Sequence, residues 1–353
     1  MTSTVATRGW RPDGSAVARI AGRIGLVLGS TLTTLFLLLT LTFVIGRLLP
    51  LDPVAAIVGD DADQSTYEQV QRELGLDKPL PQQFVIFLGR VLRGDFGNAL
   101  LTNQPVLHDI ARLFPATLEL ATVAIIVGAG LGIPLGVMAA VNRGRLIDHL
   151  VRLVSLLGYS TPVFWLGLIG LIVFYAKLGW VGGAGRVDIY YVGIVSEVTG
   201  LLLVDSLLAG DLEVFFSAFR HIMLPAAVLG YAAIAYISRM TRSFMLEQLN
   251  QEYIIAARAK GVSRRQVIWR HAFKNIRVQV VTIVALSYGS LLEGAVLIET
   301  VFGWPGFGQY LTNALLIGDM NAVVACTLIV GCIFIGLNLL CDILYRVFDP
   351  RTR

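Results

Sequence analysis

Five uncharged apolar stretches, residues 24–46, 120–141, 153–176, 222–238 and 320–341, limit what this chain can become, and a sixth, 278–298, is interrupted only by Glu293. Crossing the hydrocarbon core of a bilayer takes about 20 apolar residues. Each stretch is long enough to cross, with 222–238 at the short limit. Backbone polar groups in lipid must be satisfied within the segment, so the spans are helices. Pro134, Pro162 and Pro225 inside them predict kinks rather than breaks. Charge makes the same point. Only 15% of the 353 residues are charged, where an ordinary globular domain has about 25%. Six buried helices of a water-soluble protein would need amphipathic outer helices that the sequence does not supply. The expected fold is an all-α integral membrane protein with six transmembrane helices. The first stretch is longer than a secretory h-region and no small-x-small cleavage site follows before Arg47, so it is expected to remain as an anchor.

Lysine and arginine give the orientation, because they concentrate in cytoplasmic segments. With the N-terminus inside, the inner segments hold Arg8, Arg11, Arg19 and Arg23, then Arg143, Arg145 and Arg152, then nine basic residues between 239 and 277, then Arg346, Arg351 and Arg353. Nineteen of the 28 basic residues thus fall on one side, which places both termini in the cytoplasm. The net charge of +4 is too small for a nucleic-acid footprint unless the basic residues cluster.

The outer segments carry their own pattern. Ser65-x-x-Glu68 reads as a capping box opening a short helix, with Val70 and Leu74 on one face and Gly75 as its stop. After Pro79 and Pro81, residues Phe84, Phe87, Leu88, Val91 and Leu92 fall at helical spacing. They predict an amphipathic helix on the membrane surface or on a partner. Between 183 and 221 the apolar runs 201–203 and 215–219 are too short to span and are expected as interfacial helices. Trp180 and Trp304 read as membrane-interface anchors. Asn338 and Asp342 read as groups that hold helices together.

Reactive chemistry is missing. His108, His149, His221 and His271 all lie outside the apolar stretches, and there is no HExxH and no Gly-x-Ser-x-Gly; Gly158-Tyr159-Ser160-Thr161-Pro162 is the nearest approach. None of the lysines, Lys78, Lys177, Lys260 and Lys274, follows a glycine, so the chain has no P-loop to hold ATP phosphates. Cys326, Cys332 and Cys341 form no CxxC and read as apolar packing, with neither a disulfide framework nor a metal site indicated. No catalytic residue is expected. Any ATP-driven work must draw on another subunit.

The inner segment 239–277 is where function is most legible. Its nine basic residues face only two acids, Glu247 and Glu252. Ala256, Ala257 and Ala259 favour a helix that Gly261 ends or turns. Small side chains followed by a glycine turn suit close approach to another protein; on physical grounds alone, an incidental helix in a positive-inside loop fits as well. Ile255-Ala256-Ala257-Arg258-Ala259-Lys260-Gly261 resembles the Glu-Ala-Ala-x-x-x-Gly loop of binding-protein-dependent ABC importer permeases. It resembles most the Tyr-x-x-x-Ala-Arg-Ala-Lys-Gly form of their dipeptide/oligopeptide group. Further pieces resemble that group in chain order: Arg47-Leu48-Leu49-Pro50-Leu51-Asp52-Pro53-Val54, Leu74-Gly75-Leu76-Asp77-Lys78-Pro79-Leu80, Arg93-Gly94-Asp95-Phe96-Gly97, residues 113–120, Gly132-Ile133-Pro134-Leu135-Gly136, residues 299–308 and residues 338–351. Three positions depart from the pattern: Ile255 stands for Glu, Leu51 for Gly and Lys274 for Pro.

The resemblance implies a type I ABC importer permease fold in a bacterial inner membrane. It implies a cytoplasmic segment 1–23, a transmembrane domain 24–353 with outer loops 47–119 and 177–221, and a coupling loop 239–277. It also implies partners: a second permease, two ATPase subunits that bind ATP and magnesium, and an outer substrate-binding protein. The expected cargo is a peptide, with haem, nickel complexes or glutathione as alternatives within the family. An ion-coupled secondary transporter is the alternative from another class, although the chain shows no half-to-half repeat. Ala256, Ala257, Arg258, Lys260, Gly261 and Arg264 are the expected ATPase-coupling residues. Glu293 lies about 22 Å along its helix from residue 278 at 1.5 Å per residue, in the outer half, where the family as a rule has a small residue. An intramembrane carboxylate usually faces a cavity or a partner. Glu293 is therefore a candidate for the translocation pathway, with Tyr288 and Ser287 as weaker candidates, and a structural pairing or a solvated outer cavity as the plainer reading.

Overall fold

A computed structural model describes the backbone of residues 14–48, 54, 58–59, 63–73 and 75–348; side chains of 14–24, 26–28, 47–48, 73 and 341–348 are outside the description. The Leu51 turn, Leu74, and the Cys341 and Asp342 side chains lie outside the described residues. In chain order the helices are α1 (Gly14–Leu48), α2 (Gln64–Glu73), α3 (Leu80–Leu92), α4 (Val106–Val141), α5 (Leu146–Ser160), α6 (Val163–Gly170, continued by a π-helical stretch Leu171–Lys177), α7 (Leu202–Leu208), α8 (Leu212–Leu249), α9 (Glu252–Ala259), α10 (Arg264–Phe302, with a π-helical stretch Val267–Phe273), α11 (Phe307–Ile317) and α12 (Met320–Phe348). Among the described residues five helices are long and apolar enough to cross a membrane alone, and α5 with α6, counted as one bent span, makes a sixth.

That sixth span corrects an expectation. The axis turns by 100° between α5 and α6, so Pro162 breaks the helix and does not merely kink it. The residue before a proline is pushed towards extended backbone, and Thr161 has φ −94 and ψ 129. Pro134 and Pro225, by contrast, sit within the continuous helices α4 and α8. The fourth span is also longer than the apolar pattern suggests, because α8 runs for 38 residues. The run 215–219 is therefore part of its first turns and not a separate interfacial helix, whereas α7 does include Leu202 and Leu203.

α4 and α8 form the centre. Hydrophobic driving force between helices is weak in lipid, so close backbone approach does the work. Gly128, Gly132 and Gly136 repeat every fourth residue along α4. A Cβ at Gly128 would lie 2.6 Å from the Ala233 methyl, and one at Gly136 would lie 2.5 Å from the Ser238 carbonyl oxygen. Gly230 returns the contact from α8, within 2.8 Å of the Ala124 carbonyl oxygen by the same construction. α5 lies along the inner half of α8, tied by an ion pair from Arg242 Nε to Asp148 Oδ1 (2.6 Å) and by Ser155 Oγ to Ser238 Oγ (2.9 Å).

On the outer side α2 starts at Gln64, which places Ser65 inside the first turn, not at the cap. The reciprocal capping box is thus replaced by a Gln64 Nε2 to Glu68 Oε1 bond of 3.0 Å. Gly75 does close the helix, its N–H donating to the Arg72 carbonyl and that of Leu76 to Gln71. The stripe on α3 packs against the first span: Phe84 meets Phe36 and Phe43, and Phe87 meets Phe43.

Candidate functional site

The inner segment is helical for most of its length. α8 continues to Leu249, Gln251 precedes the short helix α9, and Gly261 ends it. Gly261 has φ +78, its N–H donates to the Arg258 carbonyl (3.0 Å), and the Val262 N–H reaches back to Ala257 (3.2 Å). This left-handed cap favours glycine, and no atom lies within 4 Å of where a Cβ would sit, so the requirement is one of backbone conformation and not of space. Ile254 is fully buried in a cluster with Val137, Ala140, Met245, Val267 and Ile276, with Ala257 half-buried beside it. Tyr253 adds a clamp, donating to Gln248 Oε1 (2.8 Å) and accepting from Asn275 Nδ2 (2.9 Å). One face is thereby fixed to the spans, while Ile255, Ala256, Arg258, Ala259 and Lys260 are exposed on the other. Arg264 is also exposed, although its guanidinium leans back towards the Val141 carbonyl at 3.5 Å.

Along α10 the residues Leu286, Ser290, Glu293, Leu297 and Thr300 are all exposed. Their spacing of four, three, four and three puts them on one helix face. Glu293 carries no hydrogen bond or ion pair among the described residues, and the face continues onto α11 through Thr300 Oγ1 and Thr312 Oγ1, 3.5 Å apart. Tyr288 and Ser287 do not share this face. Tyr288 is half-buried with its hydroxyl 3.1 Å from Thr122 Oγ1 on α4, and Ser287 is buried with its hydroxyl on the Ile283 carbonyl (2.7 Å).

The outer end of this face rests on a group the sequence analysis left unassigned. Glu299 is fully buried, accepting from Thr117 Oγ1 (2.5 Å) and from the Gln309 N–H (3.0 Å), while Thr117 Oγ1 accepts from the Phe307 N–H (2.8 Å). A carboxylate and a hydroxyl thus hold the first-turn amides of α11, where a helix N-terminus favours negative charge. Side chains are excluded there: a Cβ at Gly306 would be 2.6 Å from the Glu299 carboxylate, and one at Gly308 would be 2.5 Å from Val296 Cα. The turn before α11 leaves α10 through Gly303 in the left-handed region, φ +56. Trp304 is then buried, with its indole N–H on the Ala116 carbonyl (3.1 Å), so it is a core residue and not the expected interface anchor. Trp180, 64% exposed, keeps the surface position of an anchor. At the far end Asp319 caps α12 through the Ala322 N–H (3.1 Å) and accepts from the Leu100 N–H (2.7 Å).

The comparisons decide the family. Residues 132–353 match the model of the binding-protein-dependent transport system inner membrane component, and residues 24–121 match that of its N-terminal region. The chain belongs to this family. The di/tripeptide transport system permease protein DppB of Pseudomonas aeruginosa (strain UCBPP-PA14) is 43% identical over 335 residues, covering 95% of this chain and 98% of that one. The probable D,D-dipeptide transport system permease protein DdpB of Escherichia coli (strain K12) is 41% identical, covering 88% and 91%. The dipeptide transport system permease protein DppB of the same organism is 40% identical, covering 92% and 97%. A solved methionine ABC transporter, MetNI in inward-facing conformations, is 16% identical with a TM-score of 0.46, covering 65% of this chain and 93% of that one.

As a binding-protein-dependent permease, the chain is a non-catalytic inner-membrane component of an importer. Its family works with a partner permease, ATPases and a binding protein. Membership also removes the ion-coupled secondary transporter as an alternative. Among the described residues no cluster of three or more His, Cys, Asp or Glu is placed to hold a metal ion. Residues 113–120 and 299–308 are legible as motifs, but the meeting of Thr117 with Glu299 is not, since the two lie 182 positions apart. The available signal was an acid next to the only Gly-x-x-Gly-x-Gly run in the second half, Gly303 to Gly308.

Proposed function

We propose that this chain is one half of the translocation pore of an ATP-driven importer for short peptides. In this reading it pairs with a second permease and stands on two ATPase subunits that bind ATP and magnesium. An outer binding protein delivers the cargo, and residues 24–353 act as the transmembrane domain beyond a cytoplasmic segment 1–23. The peptide names of the relatives support the cargo. The observation that carries the mechanism is the two-sided α9: Ile254 and Ala257 hold it to the spans, and Ala256, Arg258, Ala259 and Lys260 face outward. An ATPase cleft receiving that outward face would move α9 with it, and the buried anchor would transmit the motion to α8 and α10. Ala256 and Ala257 allow close approach, Gly261 sets the turn, and Arg258, Lys260 and Arg264 offer charge. Glu293 would face the pathway and attract a cationic group such as a peptide amine, with Tyr288 and Ser287 behind it.

The test begins with gentle purification of the tagged chain, which is expected to bring two ATPase chains and a second permease. Gly261→Val should then abolish dipeptide uptake and its coupling to ATP hydrolysis at normal membrane levels, since a β-branched side chain is a genuine outlier at a left-handed position and pays about 1–2 kcal/mol there. Coupled uptake that persists in this variant sinks the α9 contact. Uptake of haem, a nickel complex or glutathione in place of peptides would change the cargo and leave the mechanism standing.

A further inference from the structure

The segment between α6 and α8 is tied to α8 by Ser217 Oγ donating to Asp188 (2.7 Å) and by the Gly182 N–H donating to the Arg220 carbonyl (2.9 Å), and a separate attachment reaches α4 and the turn before α11. Arg186 pairs with Glu119 at the outer part of α4 (Nη2 to Oε2, 2.6 Å), donates to the Gly200 carbonyl (3.0 Å), and lies over the Trp304 ring at 5.7 Å from its centroid. Glu119 also accepts from the Leu203 N–H (2.7 Å), and the Gly185 N–H donates to the Phe302 carbonyl (2.9 Å). The segment itself is ordered around Asp205. Burial pushes the Asp205 carboxyl up, but bonds from Thr199 Oγ1 and from the amides of Thr199, Gly200 and Val198 outweigh this and hold it below the ordinary carboxylate value. The insertion is thus a preformed body, and its attachment ends on Trp304, in the turn that seats α11.

Stability alone does not account for this attachment. A buried ion pair is often no more stabilising than apolar packing of the same volume, and Arg186 Nε is buried without a hydrogen-bond partner. What the guanidinium does that an apolar side chain cannot is join three separate pieces by direction: the α4 carboxylate, the insertion backbone and, through a cation–π contact, the indole before α11. We propose that Arg186 is a positioning residue that holds the 303–306 turn through Trp304, making the outer insertion the lever by which a contact outside is passed to α11. This rests on the reading that Glu293 faces the pathway, which makes the face it shares with Thr300 and Thr312 the pathway wall.

The test uses the complete importer in proteoliposomes, comparing Arg186→Met and Arg186→Lys with the parent. In Arg186→Met, ATP hydrolysis without binding protein should stay within twofold of the parent, and its stimulation by binding protein should fall at least fivefold. The binding-protein concentration for half stimulation should not move, and Arg186→Lys should keep more than half of the stimulation. Unchanged stimulation in Arg186→Met, or an equal fall of basal and stimulated rates, overturns the proposal. A shifted half-stimulation concentration also overturns it, because Arg186 would then belong to the docking surface. Thr312→Cys, in a chain whose native cysteines are replaced by serine, separates the two readings. If its labelling by a membrane-impermeant maleimide is indifferent to ATP and peptide in the parent, the pathway wall fails. If labelling responds in the parent and equally in Arg186→Met, only the positioning role fails.

Discussion

Glu299 shows how one side chain sets a local architecture. The Phe307 and Gln309 amides at the start of α11 would be orphaned at a buried helix end, and Thr117 and Glu299 supply their acceptors. Glutamine at 299 keeps the shape but replaces one acceptor oxygen with a donor facing donors. Leaving a buried donor unsatisfied costs about 1–3 kcal/mol, so Glu299→Gln should lower the unfolding free energy by about that amount, and Glu299→Ala by more. Denaturant titration of the purified chain in detergent measures this, with faster proteolysis of α11 as the local sign. Equal midpoints for Glu299→Ala and the parent would show that the amides are satisfied in another way. Glu293 is the opposite case on the same helix. It is exposed and unpaired among the described residues, six positions and thus 600° of helical rotation from Glu299, so it points to a face 120° away. Two acids in one span divide into a buried fastener and an exposed candidate for cargo contact, a distinction that hydropathy alone cannot make.

Among elements, the α4–α8 pair carries the packing. Its contact line depends on glycines whose missing Cβ atoms are replaced by backbone or Cβ atoms of the facing helix, which cannot yield as the end of a flexible side chain can. Gly136→Ala is expected to reduce the level of folded protein in the membrane several-fold, because the new methyl would meet the Ser238 carbonyl at 2.5 Å. Gly130 is the internal control. It lies on the same helix with nothing within 4 Å, and alanine there gains about 1 kcal/mol of helix propensity. Quantifying both variants in membranes, and their aggregation temperatures in detergent, checks the pair; similar behaviour would move the packing line elsewhere. The spans themselves were legible because uncharged length and arginine placement are local properties of the sequence. Span ends were not, since α8 extends well beyond 222–238 at both ends through residues such as Ser217, His221 and Thr241 that are buried only by their neighbours. The break at Pro162 looks like a kink in the sequence for a related reason. Proline signals a lost hydrogen bond, and whether the axis bends slightly or turns by 100° depends on what packs on either side. The candidate coupling segment was legible from its small residues and glycine, whereas its orientation became visible only with Ile254 in place. The outer seat stayed hidden because Thr117, Arg186 and Glu299 are far apart in sequence.

For the whole molecule, sorted charge, a two-sided inner helix and an insertion fastened to the outer turn combine into one axis from cytoplasm to exterior. α9 meets α8 and α10 through Ile254, α10 runs to Glu299, and Glu299 meets the turn that Trp304 and Arg186 join to the insertion. The axis requires that the two ends lie on opposite sides of the membrane. Single cysteines at Ala259 and Tyr190, each exposed, test this in the chain without native cysteines. Tyr190→Cys should react with an impermeant maleimide added to cells whose outer barrier has been opened, whereas Ala259→Cys should react only once the inner membrane is permeabilised. The same collection extends to contact. Ala256→Cys is expected to cross-link to an ATPase subunit, and Ile254→Cys, two positions away but buried in this chain, is not. Labelling of both ends from one side would break the axis. Equal cross-linking at 254 and 256 would mean that α9 is not held by the face seen here, and the motion of an ATPase would then have no rigid route into α8 and α10.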